Sequence, residues 1–168
     1  MEQLVTRCTT EQDGPEAGKA VMAGSAAYDM GSGEISRARR FVRDFLSDAR
    51  ALRGVDVPTR VLEVAQLVVS ELATNVCKYA PGPCLLDLEV HGSMLDITMW
   101  DSGSVLPSAL HGSALHGDPA RAGQHGLEIV LAVCQSFEVR REPVGKRVRV
   151  QISLFDGPDG DPAGQSPW

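Results

Sequence analysis

Between Tyr79 and Cys84 the spacing of apolar residues changes from three-and-four to two. This change restricts the chain to folds in which long helices lie against a sheet. Before it, Ile35, Ala38, Phe41, Val42, Phe45, Leu46, Ala49 and Leu52 recur at helical intervals, with Arg37, Arg40, Arg43, Asp44 and Arg50 between them. That pattern predicts an amphipathic helix over 35–52, closed by Gly54. A second helix is expected to start near Asp56 as N-cap, with Pro58 in its first turn where a missing N–H costs nothing, and to run to about Tyr79. Its core stripe is Val61, Ala65, Val68, Leu72 and Val76, and Pro81-Gly82-Pro83 stops it.

After the switch, Leu86, Leu88 and Val90 share one face of a strand over 84–90, and Leu95, Ile97 and Met99 one face of a strand over 94–101, with His91-Gly92-Ser93 turning between them. From Ser102 to Ala122 there is no period, and a loop of that length in a small domain is usually functional or disordered. A third helix is expected from near Gly126 to near Gln135. A hairpin follows, with strands over 137–142 and 146–155 joined at Pro143-Val144-Gly145. Val21–Tyr28 reads as a short edge strand, weakened by Ala23, Gly24, Ala26 and Ala27. The expected class is α+β, a two-layer sandwich in which about three helices cover a mixed, mostly antiparallel sheet.

A length of 168 residues suits one domain, placed at 31–155, between a weakly ordered or disordered segment 1–30 and a disordered Gly/Pro-rich tail 156–168. The acids of residues 1–34 (Glu2, Glu11, Asp13, Glu16, Asp29, Glu34) outnumber Arg7 and Lys19, and the tail adds Asp156, Asp159 and Asp161. These ends account for the net charge of −6, so the folded part is near neutral and lacks the basic footprint of a nucleic-acid binder. Cys8, Cys77, Cys84 and Cys134 form no metal-ligand spacing, nor do the four histidines. The first residues have neither a basic region nor an apolar run, and no stretch is long enough to span a membrane. A cytoplasmic protein without membrane association is expected.

Three short stretches carry possible chemistry. On the second helix, Glu71, Asn75 and Lys78 fall within a narrow arc flanking the core stripe, on the flank that Val64 and Leu67 occupy earlier. Such a polar flank is either a solvated edge or the wall of a polar pocket. Asp101-Ser102-Gly103 puts a carboxylate at the mouth of a strand with a glycine two residues on; it is either a simple turn or a place where backbone meets a ligand. Gly123-Gln124-His125-Gly126 opens the third helix, where free N–H groups and the helix dipole suit phosphate.

In this order and on these elements, the three stretches resemble the boxes of the histidine-kinase-like ATPases, the GHKL or Bergerat-fold family shared by gyrase-type ATPases and sensor kinases. Glu71-x-x-x-Asn75 resembles the N box, Asp101-x-Gly103 the first glycine box and Gly123-Gln-His-Gly126-Leu-Glu-Ile-Val the second. Within that family, SELATN, WDSG, GQHGLEIV and EPVGKRV are most similar to bacterial anti-sigma factor serine/threonine kinases. The resemblance covers about 35–155 and implies the Bergerat ATP-binding fold with ATP and Mg²⁺ as cofactors. It implies Asn75 as metal ligand, Glu71 as general base, and Asp101 accepting from the adenine amino group with Gly103 giving the base room. Lys78, Gly123, Gln124, His125, Gly126 and Leu127 are then nucleotide contacts, and Arg121 is the basic lid residue against the γ-phosphate. The implied partners are a sigma factor, which the protein would sequester, and an anti-anti-sigma (STAS-type) protein phosphorylated on serine; a homodimer is implied as well. Tyr79, Val105 and Gln124-His125 depart from the family pattern. The alternative is therefore a catalytically inactive nucleotide-binding or partner-binding regulatory module.

Overall fold

A computed structural model describes residues 20–103 and 125–155 of the chain. The elements are β1 (Ala20–Met30), a 3₁₀ turn (Ser32–Glu34), α1 (Ile35–Arg53), α2 (Thr59–Tyr79), β2 (Gly82–His91), β3 (Met94–Asp101), α3 (His125–Val133), β4 (Ser136–Arg141) and β5 (Lys146–Ser153). The five strands form one sheet in the order β1-β2-β3-β5-β4. Among the described residues, three helices and one sheet make the expected α+β sandwich. The sheet was expected to be mixed and mostly antiparallel; among the described residues every pairing is antiparallel. The connections give the reason: β4 runs in the same sense as β3, yet β5 returns between them and separates the two parallel strands.

The core lies between the helices and one sheet face. Leu86, Leu88, Val90, Leu95, Ile97, Met99, Val150 and Ile152 point into it in the predicted alternation and are buried. Against them α1 buries Ala38, Val42, Phe45, Leu46 and Ala49, and α2 buries Val61, Ala65, Val68, Val69, Leu72, Ala73 and Val76. Each large side chain so buried contributes roughly 1.5–3 kcal/mol. Gly54 ends α1 in the left-handed conformation, at φ 64°, and its N–H donates to the Ala49 carbonyl.

Two expectations are corrected. The edge strand is longer than Val21–Tyr28 and removes residues 20–30 from the terminal segment expected to be weakly ordered. Gly24 has a packing reason: a Cβ there would come within 3.1 Å of the Phe45 ring and 3.5 Å of Phe41. The second helix begins at Thr59, not near Asp56. Val57 is buried in the core and the Arg50 guanidinium donates to its carbonyl, which keeps the connection non-helical through Pro58 at ψ 149°.

The sheet face away from the helices is polar and largely self-satisfied. Asp87 accepts from Ser25 and, at 3.0 Å, from the Trp100 indole, while the Arg147 guanidinium lies 5.1 Å over the Trp100 ring. Asp96 accepts from Arg149 at 2.6 Å and Gln151 at 2.9 Å. Arg147 and Arg149 thus have partners within the sheet. No helix among the described residues is long and apolar enough to cross a membrane.

Candidate functional site

Asp101 ends β3 on the same face as Leu95, Ile97 and Met99, so strand alternation carries a carboxylate into the margin of the core. Its cross-strand neighbours are Cys84 on β2 and Lys146 on β5, and Cys84 in turn faces Tyr28 on β1. Tyr28, Cys84, Asp101 and Lys146 form one polar row across four strands, each less than 8% exposed. The Lys146 ammonium lies 3.1 Å from Asp101 Oδ1 and 3.0 Å from Oδ2, and the Gly103 N–H donates to Oδ1 at 2.8 Å. A buried ion pair of this kind is costly to desolvate. Removing one partner strands the other, typically at about 3–5 kcal/mol.

Two glycines make the arrangement possible. A Cβ on Gly103 would lie 2.4 Å from the Ala80 Cβ, so the residue after Asp101-Ser102 is packed directly on the end of α2. A Cβ on Gly145, at φ +83°, would lie 1.7 Å from the Asp101 carbonyl oxygen. The end of α2 and the end of β3 are therefore in contact. Asn75 stands five residues before Ala80, about 7.5 Å along the helix axis, and Glu71 about 13.5 Å. Both side chains are half-buried, whereas Lys78 in the last turn is exposed. The hydroxyls of Ser70 and Thr74 donate back to the carbonyls of Gln66 and Ser70, at 2.8 and 2.7 Å, and so are engaged within the helix.

Of the residues singled out in the sequence, the structure brings Asp101 and Gly103 to the helix that bears Glu71, Asn75 and Lys78. His125, Gly126 and Leu127 form the start of α3, as expected for a helix opening near Gly126. Arg121, Gly123 and Gln124 lie outside the described residues, as do Val105 and nearly all of the expected loop. Lys146, Cys84 and Tyr28 were missed. Extending the alternation of Val148, Val150 and Ile152 back one step would have turned Lys146 inward.

Burial pushes the Cys84 thiol from an ordinary 9.0 up to about 12, with the Asp101 carboxylate adding to the effect. Burial likewise raises Tyr28 to about 12. Its hydroxyl is buried with no hydrogen-bond partner among the described residues. An unfolded thiol loses its proton near pH 9 and the folded one near 12, so between these values the unfolded state binds fewer protons and stability falls as pH rises. Urea denaturation at pH 9 and 10.5 should show the unsubstituted chain losing roughly 1–2 kcal/mol more than Cys84→Ala. Equal losses would contradict this account of Cys84.

The match to a family model agrees with the fold. A family model described as a histidine kinase-like ATPase domain matches residues 33–152. Among solved structures, the chain is similar to the histidine kinase domain from the Erythrobacter litoralis EL346 blue-light activated histidine kinase. That match has 18% identity and a TM-score of 0.44, covering 84% of this chain and 66% of the other. No curated protein matches.

Proposed function

The chain belongs to the histidine kinase-like ATPase domain family, and from that premise we propose that it is an ATP-binding anti-sigma factor. In this reading it sequesters a sigma factor and phosphorylates a serine of an anti-anti-sigma (STAS-type) antagonist. Membership of the family implies ATP binding; the partners and the transfer rest on the motif wording. The observation that supports the site best is the packing of Gly103 on Ala80, which joins the Asp101 end of β3 to the helix bearing Asn75 and Glu71.

The donor set fits Mg-ATP. An amide oxygen such as that of Asn75 is a hard ligand suited to Mg²⁺, which keeps most of its waters. When bound, Mg-ATP supplies the phosphoryl group and much of the charge neutralisation. Glu71 accepts the proton of the attacking serine hydroxyl at its carboxylate. Asp101 holds the base through its remaining lone pair, and Gly103 leaves room beside it. Lys78, Arg121 and the segment from Gly123 through Gln124, His125 and Gly126 to Leu127 hold the phosphates, with N–H groups at the start of α3 as donors.

A second reading, a regulatory module that binds nucleotide or partner without transfer, is favoured by Gln124-His125 standing inside the second glycine box. Incubation with γ-labelled ATP and candidate serine-bearing partners decides between the two. Label on the partner's serine supports the kinase, and nucleotide binding with no labelled partner supports the module.

A further inference from the structure

Asp101 does not meet a ligand as a bare carboxylate. A carboxylate has about four lone-pair sites. Oδ1 accepts from both the Gly103 N–H at 2.8 Å and Lys146 Nζ at 3.1 Å, which fills it, and Oδ2 lies 3.0 Å from the same ammonium as its ion-pair partner. Among the described residues, acceptor capacity is left on Oδ2. Lys146 has three N–H donors and commits one to Oδ1, which leaves donor capacity beside that acceptor. The pair therefore presents one acceptor and one charged donor, about 3 Å apart, at the margin of the core.

We infer that Lys146 determines base specificity in the nucleotide site, pairing with Asp101 so that 6-oxopurine nucleotides are accepted alongside 6-aminopurine ones. The inference rests on the reading of Asp101 as the base-binding residue. An adenine edge offers an N6–H donor next to the N1 acceptor; a guanine or hypoxanthine edge offers an O6 acceptor next to the N1–H donor. A carboxylate alone faces O6 with acceptor against acceptor and rejects it. With the ammonium beside it, either edge finds one partner of each kind, the two atoms exchanging partners. Lys146 cannot withdraw from Asp101 without leaving the buried carboxylate charge without its counter-ion, so the donor is held in place by the same ion pair that holds the acceptor.

The test is calorimetric titration of the full chain with ADP, GDP and IDP in the presence of Mg²⁺. The expected dissociation constants lie within about tenfold of one another. In Lys146→Met, GDP and IDP should weaken relative to ADP by about ten- to a hundredfold, the penalty for a carbonyl facing an unpaired carboxylate. Melting of the variant checks that it folds, and Lys146→Gln, which keeps a neutral donor, should fall between the two. The unsubstituted chain is decisive even if neither variant folds. If ADP binds and GDP and IDP are more than a hundredfold weaker, this inference is overturned and the nucleotide site stands. If none of the three binds, the site assignment itself fails and the inference with it. An ADP-to-GDP ratio unchanged in Lys146→Met removes Lys146 from base selection.

Discussion

Replacing Glu71 by alanine should lower phosphoryl transfer by about 10²–10⁴-fold, the usual contribution of a positioned general base. Binding of ADP should stay within a few-fold of the unsubstituted chain. The separation follows from where Glu71 sits. It lies four residues, one helical turn, before Asn75 and nine before Ala80, the residue packed on Gly103. A group so far from the base end contributes little to holding the nucleoside. In the proposed reading it is the group that receives the hydroxyl proton as the γ-phosphoryl group is transferred. The measurement is single-turnover labelling of the serine partner, with ADP affinity determined separately by calorimetry. A variant that loses ADP binding along with transfer would place Glu71 in ground-state binding; a variant with undiminished transfer would remove it from the chemistry.

The second large effect is on folding. Gly145→Ala should destabilise the domain by more than about 3 kcal/mol, while Gly54→Ala should cost only about 1 kcal/mol. Both glycines have positive φ, +83° and +64°, so an L side chain is strained at each. They differ in their surroundings. Nothing lies within 4 Å of a Cβ on Gly54, whereas one on Gly145 would overlap the Asp101 carbonyl at 1.7 Å. That carbonyl cannot retreat without breaking the register in which Asp101 faces Lys146, and with it the buried ion pair. Urea denaturation of the two variants isolates the contact from the dihedral strain they share. Equal losses would show that the approach of Gly145 to Asp101 is not a tight one.

The parts of the fold legible in the sequence were those where one face is apolar and the other charged. Ile35–Arg53 and Met94–Asp101 follow their periods within a residue or so, because α1 and β3 each turn one regular apolar stripe to the core. β1 was only partly legible, since Gly24 is required by the Phe41 and Phe45 rings of another element, and local propensity carries no trace of that. At the candidate site, Glu71, Asn75, Asp101 and Gly103 are nominated by motif spacing. Lys146 was hidden because a lysine at the first position of a strand reads as a surface residue. Only the pairing of β3 with β5 turns it towards Asp101 and gives it a buried partner. The start of α2 was misplaced for a similar reason: Asp56 is a good N-cap in isolation, but Val57 is held in the core and defers the helix to Thr59.

The central claim is that Asn75 and the Asp101–Gly103 turn serve one purine nucleotide. Proton–nitrogen correlation spectra of the labelled full chain, titrated with ADP and Mg²⁺, address it directly. The account predicts that the Gly103 backbone amide and the Asn75 side-chain amide shift together, along one saturation curve, and that Asn75→Ala weakens the response at Gly103. Signals that stay in place at millimolar nucleotide, or that respond with separate midpoints, would contradict it.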